Sequence, residues 1–215
     1  MIDELNTSKI LENENIHLFT LDVEKLYPSI QPNLAEEAIK DLLENIEDEE
    51  QAQIRKAIQS FVKLSFEESY VTYKDEVFKP KVGIPTGGSL SRQIADTFLH
   101  WTLYKKINPS IMKSTQIRLW KRFIDDCLGI WRGTKRSFEN FVQRLNAETT
   151  KYGIKFPIQE VQFGEKVNFL DVTYYLGETT VFNTQVTPNQ LMRKDIYDLK
   201  ASIQKTSSKQ YHFHK

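Results

Sequence analysis

The apolar pattern starts at Ile16 and alternates through Val23 in a stretch rich in β-formers, so it predicts a buried strand with Asp22 near its C-terminal end. Pro28 biases Tyr27 away from α geometry and turns the chain just after that strand. Pro32 sits at a helix start, with Leu34, Ala38, Leu42 and Ile46 at helical spacing. A second helix from about Asp48 places Ile54, Ile58, Phe61 and Leu64 on one face, and both stripes are expected to face the core. Val71-Thr72-Tyr73 and Val77-Phe78 flank Lys74-Asp75-Glu76 as a hairpin, with Pro80 blocking central pairing beyond it. A further helix, N-capped by Ser89 or Ser91, runs through Ile94, Phe98, Trp101 and Leu103. Two short strands then flank Asp125-Asp126. Phe138, Phe141, Val142 and Leu145 form an amphipathic helix ended near Gly153, and Ile154-Lys155-Phe156 and Val167 through Tyr175 read as closing strands. From Thr187 on the chain is polar and weakly patterned. This order of elements is α+β.

A length of 215 residues allows one domain, or a core carrying an inserted subdomain. Hydrophobic residues make up 40% and aromatics 12%, ample for a packed core and contrary to disorder. A single cysteine, Cys127, excludes an intramolecular disulfide framework and points to a reducing compartment, hence an intracellular protein of nucleus or cytoplasm. The acidic, polar start Met1-Ile2-Asp3-Glu4-Leu5 is no signal peptide, and no apolar run approaches a membrane span, so no membrane partner is expected. Net charge is zero, but it is unevenly placed. Lys105, Lys106, Lys113, Arg118, Lys121, Arg122, Arg132, Lys135 and Arg136 crowd one stretch, while Glu36, Glu37, Asp41, Glu44, Glu47, Asp48, Glu49 and Glu50 crowd another. That asymmetry suits a basic track for a nucleic-acid duplex, and equally two ordinary solvated surfaces.

Three segments carry candidate chemistry. Asp125-Asp126 lies inside Phe123-Ile124-Asp125-Asp126-Cys127-Leu128-Gly129-Ile130-Trp131, where two like charges at a hairpin tip raise each other's pKa unless a cation compensates them. Mg²⁺ takes oxygen ligands and is usually held by one or two carboxylates plus substrate phosphates. Taken alone, the pair reads as a solvated turn: Asp and Glu are 29 of 215 residues, so such a neighbour pair arises by chance. Asp22, at its strand end, either satisfies nearby backbone N–H groups or coordinates a metal. Val82-Gly83-Ile84-Pro85-Thr86-Gly87-Gly88-Ser89-Leu90-Ser91 is a glycine-rich loop entering a helix, with exposed backbone that a sugar-phosphate ligand can approach. It is not a Walker A loop, and in isolation it reads as a plain connection.

In order, the three segments resemble the polymerase palm of reverse transcriptases: Asp22 through Tyr27 as motif A, Gly83 through Ser91 as motif B, Phe123 through Asp126 as motif C. The style is most similar to Penelope-like retroelements, in Leu21-Asp22-Val23-Glu24-Lys25-Leu26-Tyr27-Pro28-Ser29-Ile30, in Trp120-Lys121-Arg122-Phe123-Ile124-Asp125-Asp126, in Val167-Asn168-Phe169-Leu170-Asp171-Val172-Thr173 and in Lys205-Thr206-Ser207-Ser208-Lys209-Gln210-Tyr211. Three positions depart from that pattern: Phe123 stands for Tyr, Thr86 for Gln or Met, and Arg92 for Pro. The resemblance implies one domain over 1–215, with an antiparallel sheet backed by helices, a fingers-like helical insertion over 31–81 between motifs A and B, and C-terminal strands over 167–215 leading towards a thumb. The upstream fingers and the thumb themselves are expected to lie outside this chain.

The resemblance further implies an RNA-directed DNA polymerase acting on an RNA or DNA template with a primer and deoxynucleoside triphosphates. Asp22 and Asp125 would meet on adjacent strands and bridge two Mg²⁺ (or Mn²⁺) ions about 4 Å apart, with the Val23 carbonyl as a further ligand and Asp126 assisting. The backbone of Lys25, Leu26 and Tyr27 would lie along the triphosphate. Thr86, Gly87 and Gly88 would face the template–nucleotide pair, and Phe169, Leu170, Val172 and Thr173 would position the primer. Tyr27, five residues after Asp22, is the position where an aromatic ring beneath the sugar excludes a 2′-hydroxyl. RNA-dependent RNA polymerases usually carry Asp there, and Gly before the Asp pair. An inactive retroelement fragment, or a palm used as a nucleic-acid-binding module, are the alternatives.

Overall fold

The computed structural model describes residues 15–44, 51–176 and, for the backbone, 182–186. Its centre is a four-stranded antiparallel sheet in the order β4-β5-β1-β6, built from β1 (Ile16–Leu21), β4 (Ile117–Phe123), β5 (Asp126–Arg132) and β6 (Gln162–Gly164). A second antiparallel sheet, β7 (Lys166–Phe169), β8 (Val172–Leu176) and β9 (Phe182–Val186), joins it. Between β1 and the first large helix behind the sheet come α1 (Leu26–Ser29), α2 (Pro32–Glu44), α3 (Ala52–Glu67) and the hairpin β2–β3 (Val71–Tyr73, Glu76–Phe78). That helix, α4 (Ser91–Trp101), continues as a π-helical turn over Thr102–Lys106; α5 (Pro109–Met112) and, after β5, α6 (Lys135–Thr149) follow. Among the described residues no helix is long and apolar enough to cross a membrane.

The period-2 alternation of the central strands sorts their side chains into two cores. Phe19, Leu21, Cys127 and Trp131 belong to the larger one, with Ile94, Phe98, Phe138 and Phe141 of α4 and α6. Leu18, Leu128 and Ile130, one step out of phase, meet Val167, Phe169 and Tyr174 of the second sheet. Gly129 is required by this packing. A Cβ there would lie 2.2 Å from Cζ of Phe19, its partner across the strand pair, and 2.5 Å from the Leu119 carbonyl oxygen.

Several expectations are corrected. The buried stripe of α2 is Ala35, Ala38, Ile39 and Leu43, rotated from the predicted one, and Leu42 is exposed. Ile46 and Asp48 lie outside the described residues. The α3 stripe points outward: Ile54 is 57% exposed and Phe61 60%, with Ile58 and Leu64 also exposed, while Val62 alone in this helix is buried. The α4 N-cap is Leu90, without a capping side chain, and Ser91 is a buried first-turn residue. Ile154-Lys155-Phe156 is no strand. Its backbone is held by a side chain instead, because the Phe156 N–H donates to Asn146 Oδ1 and the Phe156 carbonyl accepts from Asn146 Nδ2, both at 2.8 Å.

Candidate active site

The acidic centre is assembled by strand register. β1 and β5 pair from Ile16↔Arg132 to Leu21↔Cys127, so the next residues, Asp22 and Asp126, emerge side by side. Asp125 sits in the two-residue turn that joins β4 to β5, closed by the Phe123↔Asp126 pair. The two acids therefore play different parts: Asp126 opens a strand, and only Asp125 occupies the turn. Cys127 lies on the helix-side core, and alternation puts Asp126 on the opposite face, shared with Leu128. The turn begins at Ile124 with φ 57°, a left-handed backbone that a β-branched residue adopts only when its surroundings enforce it.

The three carboxylates feel one another. Partial burial pushes the Asp126 carboxyl up to about 6, reinforced by the charges of Asp22 and then Asp125. Partial desolvation also raises Asp22, although the residue stays exposed to solvent, together with the Asp125 charge and, more weakly, Glu160, while the Val23 N–H donating to Asp22 Oδ1 at 2.7 Å opposes the rise. This is an oxygen-only donor set whose mutual repulsion a hard divalent cation relieves. Among the described residues no three His, Cys, Asp or Glu side chains converge tightly enough to form a metal cage.

After Asp22 the chain is pinned before it turns. The Glu24 N–H donates to the Lys155 carbonyl at 2.9 Å, and the two side chains pair at 3.2 Å. Lys25, at φ 52°, leads into α1, where Leu26 is buried and Tyr27 half-buried. The glycine loop is stitched to this turn: the Gly83 N–H donates to the Ile30 carbonyl and the Ile84 N–H to the Tyr27 carbonyl, each at 2.9 Å. Gly83 has φ 89°, and a Cβ there would lie 2.9 Å from the Pro28 Cα, so this close approach needs glycine. Thr86, Gly87 and Gly88 are exposed beyond the stitch. A Cβ at Gly88 would meet Ser91 Oγ at 2.4 Å, which keeps the entry to α4 tight.

The residues expected to position a primer fall on the β7–β8 hairpin. Leu170 is exposed at its tip with φ 53°, whereas Phe169 and Thr173 are buried and Val172 half-buried. Phe169 packs edge-on to Tyr174, and the Thr173 hydroxyl donates to Asn168 Oδ1 at 2.8 Å. Lys205 through Tyr211 lies outside the described residues. Within the basic stretch, Lys106 pairs with Glu37 at 2.7 Å, and Arg122 with Asp96 at 2.6 Å. The Arg122–Asp96 pair escapes sequence reading, because no spacing links the two residues and their contact depends on how α4 crosses the sheet.

No family model and no curated protein matches the chain. Among solved structures the chain superposes on apo telomerase from Candida tropicalis with a TM-score of 0.68 at 16% identity, over 89% of this chain and 37% of that one. The same enzyme in complex with a TWJ fragment of telomeric RNA gives 0.68 at 16%, over 89% and 33%. The RNA-dependent RNA polymerase of a human picobirnavirus gives 0.57 at 11%, over 81% and 32%. The chain thus spans less than two fifths of the length of each of these, and the likeness is one of fold: a palm-type nucleic-acid polymerase fold of helices and antiparallel sheet.

Proposed function

We propose that this chain is the palm, with part of the fingers over 31–81, of a reverse transcriptase from a Penelope-like retroelement, and that it works inside the cell. The carrying observation is the electrostatic coupling of Asp22, Asp125 and Asp126 at one end of a polymerase-type sheet, to which they come from distant parts of the sequence. Asp22, Asp125 and the Val23 carbonyl would hold Mg²⁺ or Mn²⁺, with Asp126 assisting. When bound there, such ions would supply Lewis acidity toward a primer hydroxyl and charge neutralisation for pyrophosphate. The rest falls to the protein. The turn over Lys25, Leu26 and Tyr27 cradles the triphosphate of a deoxynucleotide, and the exposed loop at Thr86, Gly87 and Gly88 faces the template–nucleotide pair. The β7–β8 hairpin at Phe169, Leu170, Val172 and Thr173 sets the primer end.

Primer extension on a primed RNA or DNA template, by the reverse transcriptase that carries this palm, tests this reading. Asp22→Asn or Asp125→Asn is expected to abolish extension while leaving the fold intact, and a variant that extends like the unaltered chain removes its residue from the site. The likeness to a viral RNA polymerase favours one second reading, synthesis of RNA. Tyr27 argues for DNA, since an aromatic ring beneath the sugar leaves no room for a 2′-hydroxyl.

A further inference from the structure

Beneath the acidic turn, on the helix side of the sheet, Arg122 joins two elements that the reaction needs in fixed relation. Its side chain is 11% exposed. One guanidinium nitrogen, Nη1, donates to the Asp96 carboxylate and to the Ile124 carbonyl, each at 2.6 Å, and Nη2 donates to the Asp96 carbonyl at 3.3 Å. Asp96 stands on α4, the helix that starts directly after the glycine loop. Ile124 is the left-handed residue immediately before Asp125. A guanidinium fork of this kind, its arginine mostly buried and its carboxylate partner half exposed, holds geometry because its donors point in fixed directions. A cavity of about 280 Å³ lined by Arg92, Gln93, Asp96, Arg122, Phe123 and Ile124 adjoins it, while the Ile124 side chain packs against the larger core and the Arg92 guanidinium lies over the Phe123 ring.

We propose that Arg122 is a positioning residue. By tying the Ile124 carbonyl to Asp96 it fixes the orientation of a turn whose left-handed first residue the two-residue hairpin itself requires, aims Asp125 at Asp22, and couples the glycine loop to the acidic centre through α4. This rests on the polymerase reading for its catalytic consequence, but not for its structural one. Without the fork, the ladder still keeps Ile124 at positive φ, but its carbonyl is no longer tied to α4, and the hairpin tip that carries Asp125 is free to shift relative to that helix. Asp96 alone contributes less, since its carbonyl and the Arg122–Ile124 bond survive removal of the carboxylate.

Cys127 supplies a readout independent of polymerisation. It is fully buried, lies opposite Arg122 in the strand register, and its thiol donates to the Asp125 carbonyl at 3.8 Å. In Arg122→Gln the native-state rate of Cys127 labelling by a disulfide reagent is expected to rise at least tenfold, with the melting temperature little changed. Arg122→Lys, which keeps charge but not the fork, is expected in between. Asp96→Ala is expected to show a smaller rise, and the double variant no more than Arg122→Gln. Unaltered labelling in Arg122→Gln overturns the proposal, as does a rise fully accounted for by a lowered melting temperature. In primer extension, Arg122→Gln is expected to lower kcat at least tenfold with KM for deoxynucleotide within threefold, and a loss confined to KM overturns the positioning role. If the unaltered chain extends no primer in any setting, the polymerase reading fails, and the labelling result still decides whether the fork holds the turn.

Discussion

The acidic centre carries a stability cost that can be measured without any substrate. Asp126 ordinarily would titrate near 3.8 and is pushed up to about 6 by burial and by the charges of Asp22 and Asp125. At 1.36 kcal/mol per pH unit, that sets a ceiling of about 3 kcal/mol on the destabilisation at neutral pH. The carboxyl is only partly buried, so solvent screening brings the expected figure to about 1–2 kcal/mol. Because the folded state holds this proton more tightly than the unfolded one, the cost is absent below about pH 4, grows between pH 4 and 6 and is complete above it. Asp126→Asn removes the charge and nearly keeps the shape. In denaturant unfolding with EDTA present, the variant should exceed the unaltered protein by about 1–2 kcal/mol at pH 7.5, with the difference closing below pH 4. Mg²⁺ should then stabilise the unaltered protein more than the variant, since an ion that binds only the folded state adds its binding energy. A variant no more stable at pH 7.5, or equally stabilised at both pH values, refutes the picture of three mutually repelling carboxylates.

Removing the Tyr27 ring as Tyr27→Val should lower deoxynucleotide use and raise ribonucleotide incorporation; an unchanged ratio of kcat/KM between the two makes Tyr27 a packing residue and revives the RNA-polymerase reading. Gly129→Ala should cost about 1–3 kcal/mol or more in chemical denaturation, because its Cβ overlaps the Phe19 ring and the Leu119 carbonyl, and a neutral result means the two strands can separate there. Phe61→Ser should change stability by less than about 0.5 kcal/mol, as for other exposed positions, whereas Val62→Ala next to it should cost about 1 kcal/mol or more; equal losses at both would place Phe61 in a packed interface.

Local periodicity and motif order located the acidic centre, and tertiary packing decided what they left open. The alternation from Ile16 to Val23 foretold β1, which ends at Leu21, and the Asp pair foretold a hairpin, because a strand's pattern is written in its own residues. The split of that pair was not legible: whether Asp126 turns or pairs depends on Phe123 facing it across the ladder, and no propensity favours Ile124 at positive φ. Ile154 and Phe156 are buried with an exposed residue between them, as in a strand, but Asn146 occupies the hydrogen-bonding edge that a neighbouring strand would need. The α3 stripe shows the same limit from the other side. Its apolar period is real, and periodicity states which side chains share a face without stating what that face meets. Arg55 and Gln59 are half-buried while Ile54, Ile58, Phe61 and Leu64 face out, so α3 lies on its neighbour by its more polar side. The sequence pattern and the packing agree at the acidic centre because both strands there have neighbours on each side, and they part company in α3, where among the described residues the neighbour lies on one side only.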